Sequence, residues 1–121
     1  MGPIVIVSPQ KENWKDFADE LGHRCRMDVI EVRSDAEAID AARDKKPVIM
    51  IIDQDLDGQP GAGLVPQLLK IDAMIHTALV SDQPEEIFHD QTEGLGILMQ
   101  LSPKPDRQEA VRLSERLLGA I

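Results

Sequence analysis

Short apolar runs that alternate with helix-patterned segments constrain this chain more than any other feature. The run PIVIV (3–7) reads as a buried strand. In the segment that follows, Trp14, Phe17, Ala18 and Leu21 recur at helical spacing, with Asn13 placed to cap the helix start and Gly22 its end. MDVIEV (27–32) is the second strand, and Ser34 and Glu37 then stand at capping-box spacing before a helix faced by Ala38, Ile39, Ala41 and Ala42. VIMIID (48–53) is apolar up to its last residue, as a central strand covered on both faces must be. A helix is predicted over 63–74 with Pro66 in its first turn, a strand over 76–81, and a helix over 84–94 with Pro84 at a first-turn position. GILMQL (96–101) is the fifth strand. A helix over 106–121 closes the series, with Asp106 and Glu109 at capping-box spacing and Ala110, Leu113, Leu117 and Ile121 on one face. Five β-α units in succession predict an α/β fold with right-handed crossovers and a parallel five-stranded sheet in the order 2-1-3-4-5. Helices 1 and 5 should lie on one face and helices 2, 3 and 4 on the other.

A chain of 121 residues can bury the core that such a sheet needs, as one domain over 1–121. Aromatic residues make up only 2%, so the core must be aliphatic. Lys and Arg number 13 against 22 Asp and Glu, a formal charge of −9. That field repels nucleic acid and anionic membrane surfaces, and no basic stripe or aromatic platform opposes it. No apolar run approaches the ~20 residues of a bilayer span, and the N-terminal stretch has no basic segment of the signal-peptide kind. Cys25 is the sole cysteine, which excludes an internal disulfide and suits a reducing cytoplasm. His23, His76 and His89 lack ligand spacing, and DGQPGAG lacks the G-x-x-x-x-G-K pattern of a nucleotide cradle.

Chemistry in an open parallel sheet gathers at the carboxyl ends of its strands. Here those ends carry Ser8-Pro9 after strand 1, Asp53 after strand 3, Ser81-Asp82 after strand 4 and Lys104 after strand 5. One carboxylate, one hydroxyl and one ammonium on a common rim can support phosphoryl transfer to Asp53. Ser81 and Lys104 would grip the phosphoryl oxygens.

In these residues the chain resembles the receiver domains of bacterial two-component response regulators, the single-domain chemotaxis type included, whose fold is flavodoxin-like. The run PVIMIIDQDLDGQPG is similar to the family's third strand and places Asp53 on the phosphoacceptor, with Leu56, Gly58 and Gly61 at an apolar and two glycine positions. ALVSD places Ser81 on the hydroxyl position, and LSPKP places Lys104 on the lysine of a Lys-Pro pair. The resemblance implies a cis Lys104–Pro105 bond, non-enzymatic signalling, and protein partners. A histidine kinase or a downstream effector would engage the face of helix 4, strand 5 and helix 5, and a homodimer stays open. It further implies a stand-alone module without an output domain.

Five positions depart from the family pattern. Ser8 and Pro9 replace the acidic pair that holds Mg²⁺, so magnesium is expected to bind weakly or not at all and no cofactor is expected. Asp82 is bulky and anionic where a small residue leaves a path for the phosphodonor. Asp57 stands where proline is usual, and Leu101 replaces the switching Tyr or Phe. These departures point to a pseudo-receiver that signals by contact. A working phosphoacceptor is the alternative. A weaker one is a haloacid-dehalogenase-like phosphatase, with Asp53 as nucleophile and Asp55 as acid/base. Two readings of the acids stay open. Asp55 and Asp57 could help hold a divalent ion, or they are solvated loop acids while Asp53 pairs with Lys104.

Overall fold

In the computed structural model, which describes residues 2–121, five strands form one parallel sheet. They are β1 (Ile4–Val7), β2 (Val29–Val32), β3 (Ile49–Ile52), β4 (His76–Val80) and β5 (Ile97–Leu101). The helices are α1 (Lys15–Cys25), α2 (Asp35–Asp44), α3 (Val65–Ile71), α4 (Glu85–Thr92) and α5 (Arg107–Ala120). The lateral order is β2-β1-β3-β4-β5, the order that the alternation predicts.

Strand parity divides the core in two. Ile4, Ile6, Ile49, Ile51, Ala78 and Val80 pack against Phe17 and Leu21 of α1 and Ala110, Leu113 and Leu117 of α5. Val5, Val7, Met50, Ile52 and Leu79 pack against Ala38, Ala41 and Ala42 of α2, Leu68 of α3 and Phe88 of α4. All four residues of β3 are fully buried, two on each side, which is why this strand reads as an unbroken apolar run. Each such side chain contributes roughly 1.5–3 kcal/mol relative to exposure.

Local signals held best at the caps. Ser34 Oγ accepts from Glu37 N at 3.1 Å. At α5 the capping box is reciprocal, Asp106 accepting from Glu109 N at 2.9 Å and Glu109 from Asp106 N at 3.1 Å. Ends set by tertiary contact differ from expectation. Gly22 does not end α1, which runs on to Cys25 before Arg26 takes the left-handed conformation (φ 55°). A Cβ at Gly22 would stand 3.0 Å from the Val29 side chain, so this glycine serves the close approach of helix to strand. Asn13 bonds Gln10 rather than capping α1, because a 3₁₀ turn (Lys11–Trp14) precedes that helix. A second 3₁₀ turn (Gly61–Leu64) precedes α3, which stops at Ile71, earlier than predicted. Pro84 is the N-cap of α4 rather than within its first turn, and Ile121 lies beyond α5, 49% exposed.

The Lys104–Pro105 bond is trans, as is every described peptide bond, against the cis form that the resemblance implies. Trans is the lower-energy form for an X-Pro bond by about 0.5–1 kcal/mol. The loop is pinned by Glu109, whose carboxylate accepts from Ser102 N and Ser102 Oγ, each at 2.7 Å, as well as from Asp106 N.

Candidate functional site

β1 and β3 are paired with Val7 opposite Ile52, so the next residue of each strand, Ser8 and Asp53, leaves the sheet side by side. Asp53 N donates to Val7 O at 2.9 Å, which fixes the acid at the carboxyl rim. Its side chain is half-buried, and both oxygens are engaged. Ser8 Oγ donates to Oδ2 at 2.7 Å, and Gln54 N donates to Oδ1 at 2.7 Å. Ser8 is itself buried and held in place, its Oγ accepting from Gln10 N at 3.0 Å. Gly61 closes the floor: its N–H donates to Gln54 O at 2.9 Å, and a Cβ there would lie 1.9 Å from the Asp53 carbonyl oxygen. Only glycine lets the chain pass so near the acid's backbone.

The other sequence-chosen residues lie around this acid without touching it. Ser81 is half-buried at the end of β4, and its Oγ accepts from Gln83 N at 3.1 Å, a local turn. Lys104 is exposed in the β5–α5 loop, and no ion pair joins it to Asp53 or to any other described residue. The expected Asp53–Lys104 pair is thus replaced by Ser8–Asp53. Loop geometry accounts for this: Glu109 anchors the loop on both sides of Lys104, at Ser102 and Asp106, while Ser8 is delivered to Asp53 by strand register.

The remaining acids serve the loop after β3. Residues Asp55–Leu56 pair antiparallel with Gln59–Pro60, and Asp57 (φ 53°) and Gly58 (φ 93°) make the turn between them. Two adjacent positive φ angles are what a two-residue hairpin turn requires, and Asp-Gly is a favoured pair for it. Asp57 therefore sits where proline, with its φ held near −65°, could not. Asp55 Oδ1 accepts from Gly58 N at 3.0 Å within the same turn. Among the described residues no three His, Cys, Asp or Glu side chains come together as a metal site.

Three residues that the sequence reading left without a positive role shape this rim: Ser8, Gln54 and Gln100. Gln54 Nε2 donates to Asp82 Oδ1 at 2.8 Å, and Gln100 Nε2 donates to Gln83 O at 2.8 Å. The signal for Ser8 was present, since the predicted order sets strand 1 beside strand 3. The glutamine contacts span 28 and 17 residues and have no local pattern.

No protein-family model matches the sequence, and no curated protein matches it. Solved structures match in shape. A response regulator receiver domain protein from Methanospirillum hungatei JF-1 superposes with a TM-score of 0.81 at 12% identity, covering 98% of this chain and 95% of that one. The chain has the response-regulator receiver fold. The response regulator DrrB of Thermotoga maritima, an OmpR/PhoB homologue, gives 0.82 at 12% identity over 99% of this chain and 54% of its own. A Burkholderia pseudomallei response regulator, solved with a phosphorylated aspartic acid, calcium ion and citrate, gives 0.76 at 14% identity, covering 99% of this chain and 73% of that one. At these identities the likeness establishes the receiver fold, and activity has to be argued from the rim itself. No helix among the described residues is long and apolar enough to cross a membrane.

Proposed function

We propose that this chain is a receiver-type signalling module that acts by protein–protein contact, with weak or no phosphorylation at Asp53. The observation that carries this reading is the engagement of both Asp53 oxygens by the chain's own donors, Ser8 Oγ and Gln54 N. A divalent ion at this rim would have to displace one of them, and it would find a single carboxylate with a hydroxyl for a neighbour. Magnesium requires near-octahedral oxygen ligands, so the donor set does not fit it. Asp82 adds a negative charge beside the approach, worth about 1–4 kcal/mol against an anionic donor at ~4 Å for ε between 80 and 20. Leu101 is 1% exposed, a buried aliphatic where a switching aromatic would have to move between two positions. Catalysis by Asp55 is disfavoured by its bond to Gly58 N in the hairpin turn. Protein partners, a histidine kinase or an effector, would meet the surface of α4, β5 and α5, where Glu85, His89, Arg112 and Arg116 line one groove. A second copy of the chain is a further candidate for that surface.

A working phosphoacceptor is the second reading, favoured by the phosphorylated aspartic acid of the Burkholderia pseudomallei protein on the same fold. Acetyl phosphate with Mg²⁺, followed by intact-mass spectrometry, separates the two. Little or no stable phosphoryl adduct is expected on the natural sequence. The triple variant Ser8→Asp, Pro9→Asp, Asp82→Ala should bind Mg²⁺ more tightly by NMR titration and recover measurable labelling. Rapid, stoichiometric labelling of the natural sequence on Asp53 would overturn the contact-only reading.

A further inference from the structure

The loop that leaves β4 is held in a way that receiver shape alone does not require. Ser81 N donates to Leu101 O at 3.0 Å, so the backbone of Ser81 still belongs to the sheet. Past it the chain is polar and surface-exposed, and a loop of this kind ordinarily opens at little free-energy cost. Here four hydrogen bonds hold it, from three directions. Gln83 N donates to Ser81 Oγ at 3.1 Å and closes a local turn. From β5, Gln100 Nε2 donates to Gln83 O at 2.8 Å and to Ser81 O at 3.3 Å. Across the rim, Gln54 Nε2 donates to Asp82 Oδ1 at 2.8 Å. Gln54 is also the residue whose backbone N–H donates to Asp53 Oδ1 at 2.7 Å. One residue thus touches both the central acid and the loop of the neighbouring strand.

We propose that residues 81–83 form a strap drawn across the Asp53 rim by the side-chain amides of Gln54 and Gln100, which sets the start of α4 without any phosphoryl group. The strap runs directly into α4, whose N-cap is Pro84, so its position is the position of that helix start. A phosphoryl group on an acid at this rim would attract donors from the neighbouring loops. The Gln54 amide already joins those loops, and it does so with a neutral group that needs no modification and no metal. As a statement about signalling, the strap rests on the contact-module reading above: α4 would present one fixed face to partners.

The test compares the parent protein with Gln54→Ala, Gln100→Ala and the double variant by amide hydrogen exchange in NMR. The Gln83 amide is the reporter, and the Leu79 amide within β4 is the control for folding. Each single variant should speed Gln83 exchange by about two- to tenfold, the range set by one ordinary hydrogen bond, and the double variant by more, with Leu79 unchanged. A Gln83 amide that exchanges at a free-loop rate in the parent, or that is unaffected in both single variants, overturns the strap. Titration with beryllium fluoride and Mg²⁺ runs in parallel. Stoichiometric binding by the parent overturns the contact-module reading and leaves the strap standing if Gln83 still responds. Absence of parent binding with an unresponsive Gln83 does the reverse.

Discussion

The two sides of the sheet are built differently. The α1/α5 side holds the two longest helices, of 11 and 14 residues, and buries Trp14 and Phe17 as an edge-to-face pair with ring centroids 5.4 Å apart. The other side is covered by α3 and α4, of 7 and 8 residues, and by an alanine face on α2. It also lies next to the one described buried side-chain polar atom without a partner, Thr77 Oγ1. The strap feeds into α4 and the hairpin into α3, so these two rim loops connect to the thinner side. Large apolar contacts concentrate on the α1/α5 side, and the segments that border the rim are tied by side-chain hydrogen bonds.

The strongest test of this contrast is truncation on each side. Trp14→Ala should destabilise by about 3–5 kcal/mol, the range for a buried aromatic. Phe88→Ala on α4 should fall at the low end of that range or below. It lacks a buried aromatic partner, an interaction worth about 0.5–1.5 kcal/mol beyond area. Urea unfolding of both variants decides the matter, and equal losses would break the comparison. Next in size, Gly61→Ala should destabilise by roughly 1–3 kcal/mol, because the new methyl meets the Asp53 carbonyl and backbone must shift. Chemical shifts of residues 52–61 should move while those of α1 and α5 stay, which sharpens the contrast by confining the damage to the rim.

Much of the architecture was legible before any coordinates. Strand existence followed from short β-rich apolar runs, and the division of helices between faces followed from crossover handedness. Ser34, Asp106 and Glu109 act locally, so their caps were visible as spacing. Gly22 was misread as a stop because its reason, the nearness of Val29, lies in another element. Asp57-Gly58 is a favoured hairpin pair, and the turn forms there because both residues accept positive φ.

Two smaller effects follow. Thr77→Val should stabilise by about 1 kcal/mol in thermal unfolding, since it removes a buried hydroxyl with no partner. By strand parity with Leu79 it faces the thinner side, so a loss of stability instead would mean that this side holds the hydroxyl better than the geometry shows. Cys25 sits in the α1/α5 core, and burial pushes its thiol pKa up. The folded state therefore holds the neutral form. That contribution to stability is complete below the unfolded thiol's ordinary value, near ~8.5, and is lost as pH rises through the folded value. Iodoacetamide at pH 8 should label the native protein several-fold more slowly than the urea-unfolded chain, read by mass. Equal rates would show that the end of α1 opens freely.

By itself the sequence determined that five β-α units would form a parallel sheet, that an aliphatic third strand would lie at its centre, and that Asp53 would surface at the carboxyl rim. Those outcomes depend on periodicity, burial and chirality, which act along the chain. Only the tertiary structure decided what Asp53 meets. Ser8 arrives from 45 residues away, Gln54 reaches Asp82 across 28, and Lys104 is left in solvent by a loop that Glu109 holds. A hydrogen bond is made or lost within a few tenths of an ångström, and strand order places side chains only to within several. The sheet could therefore be read from the sequence, while the partners of its central acid had to be seen.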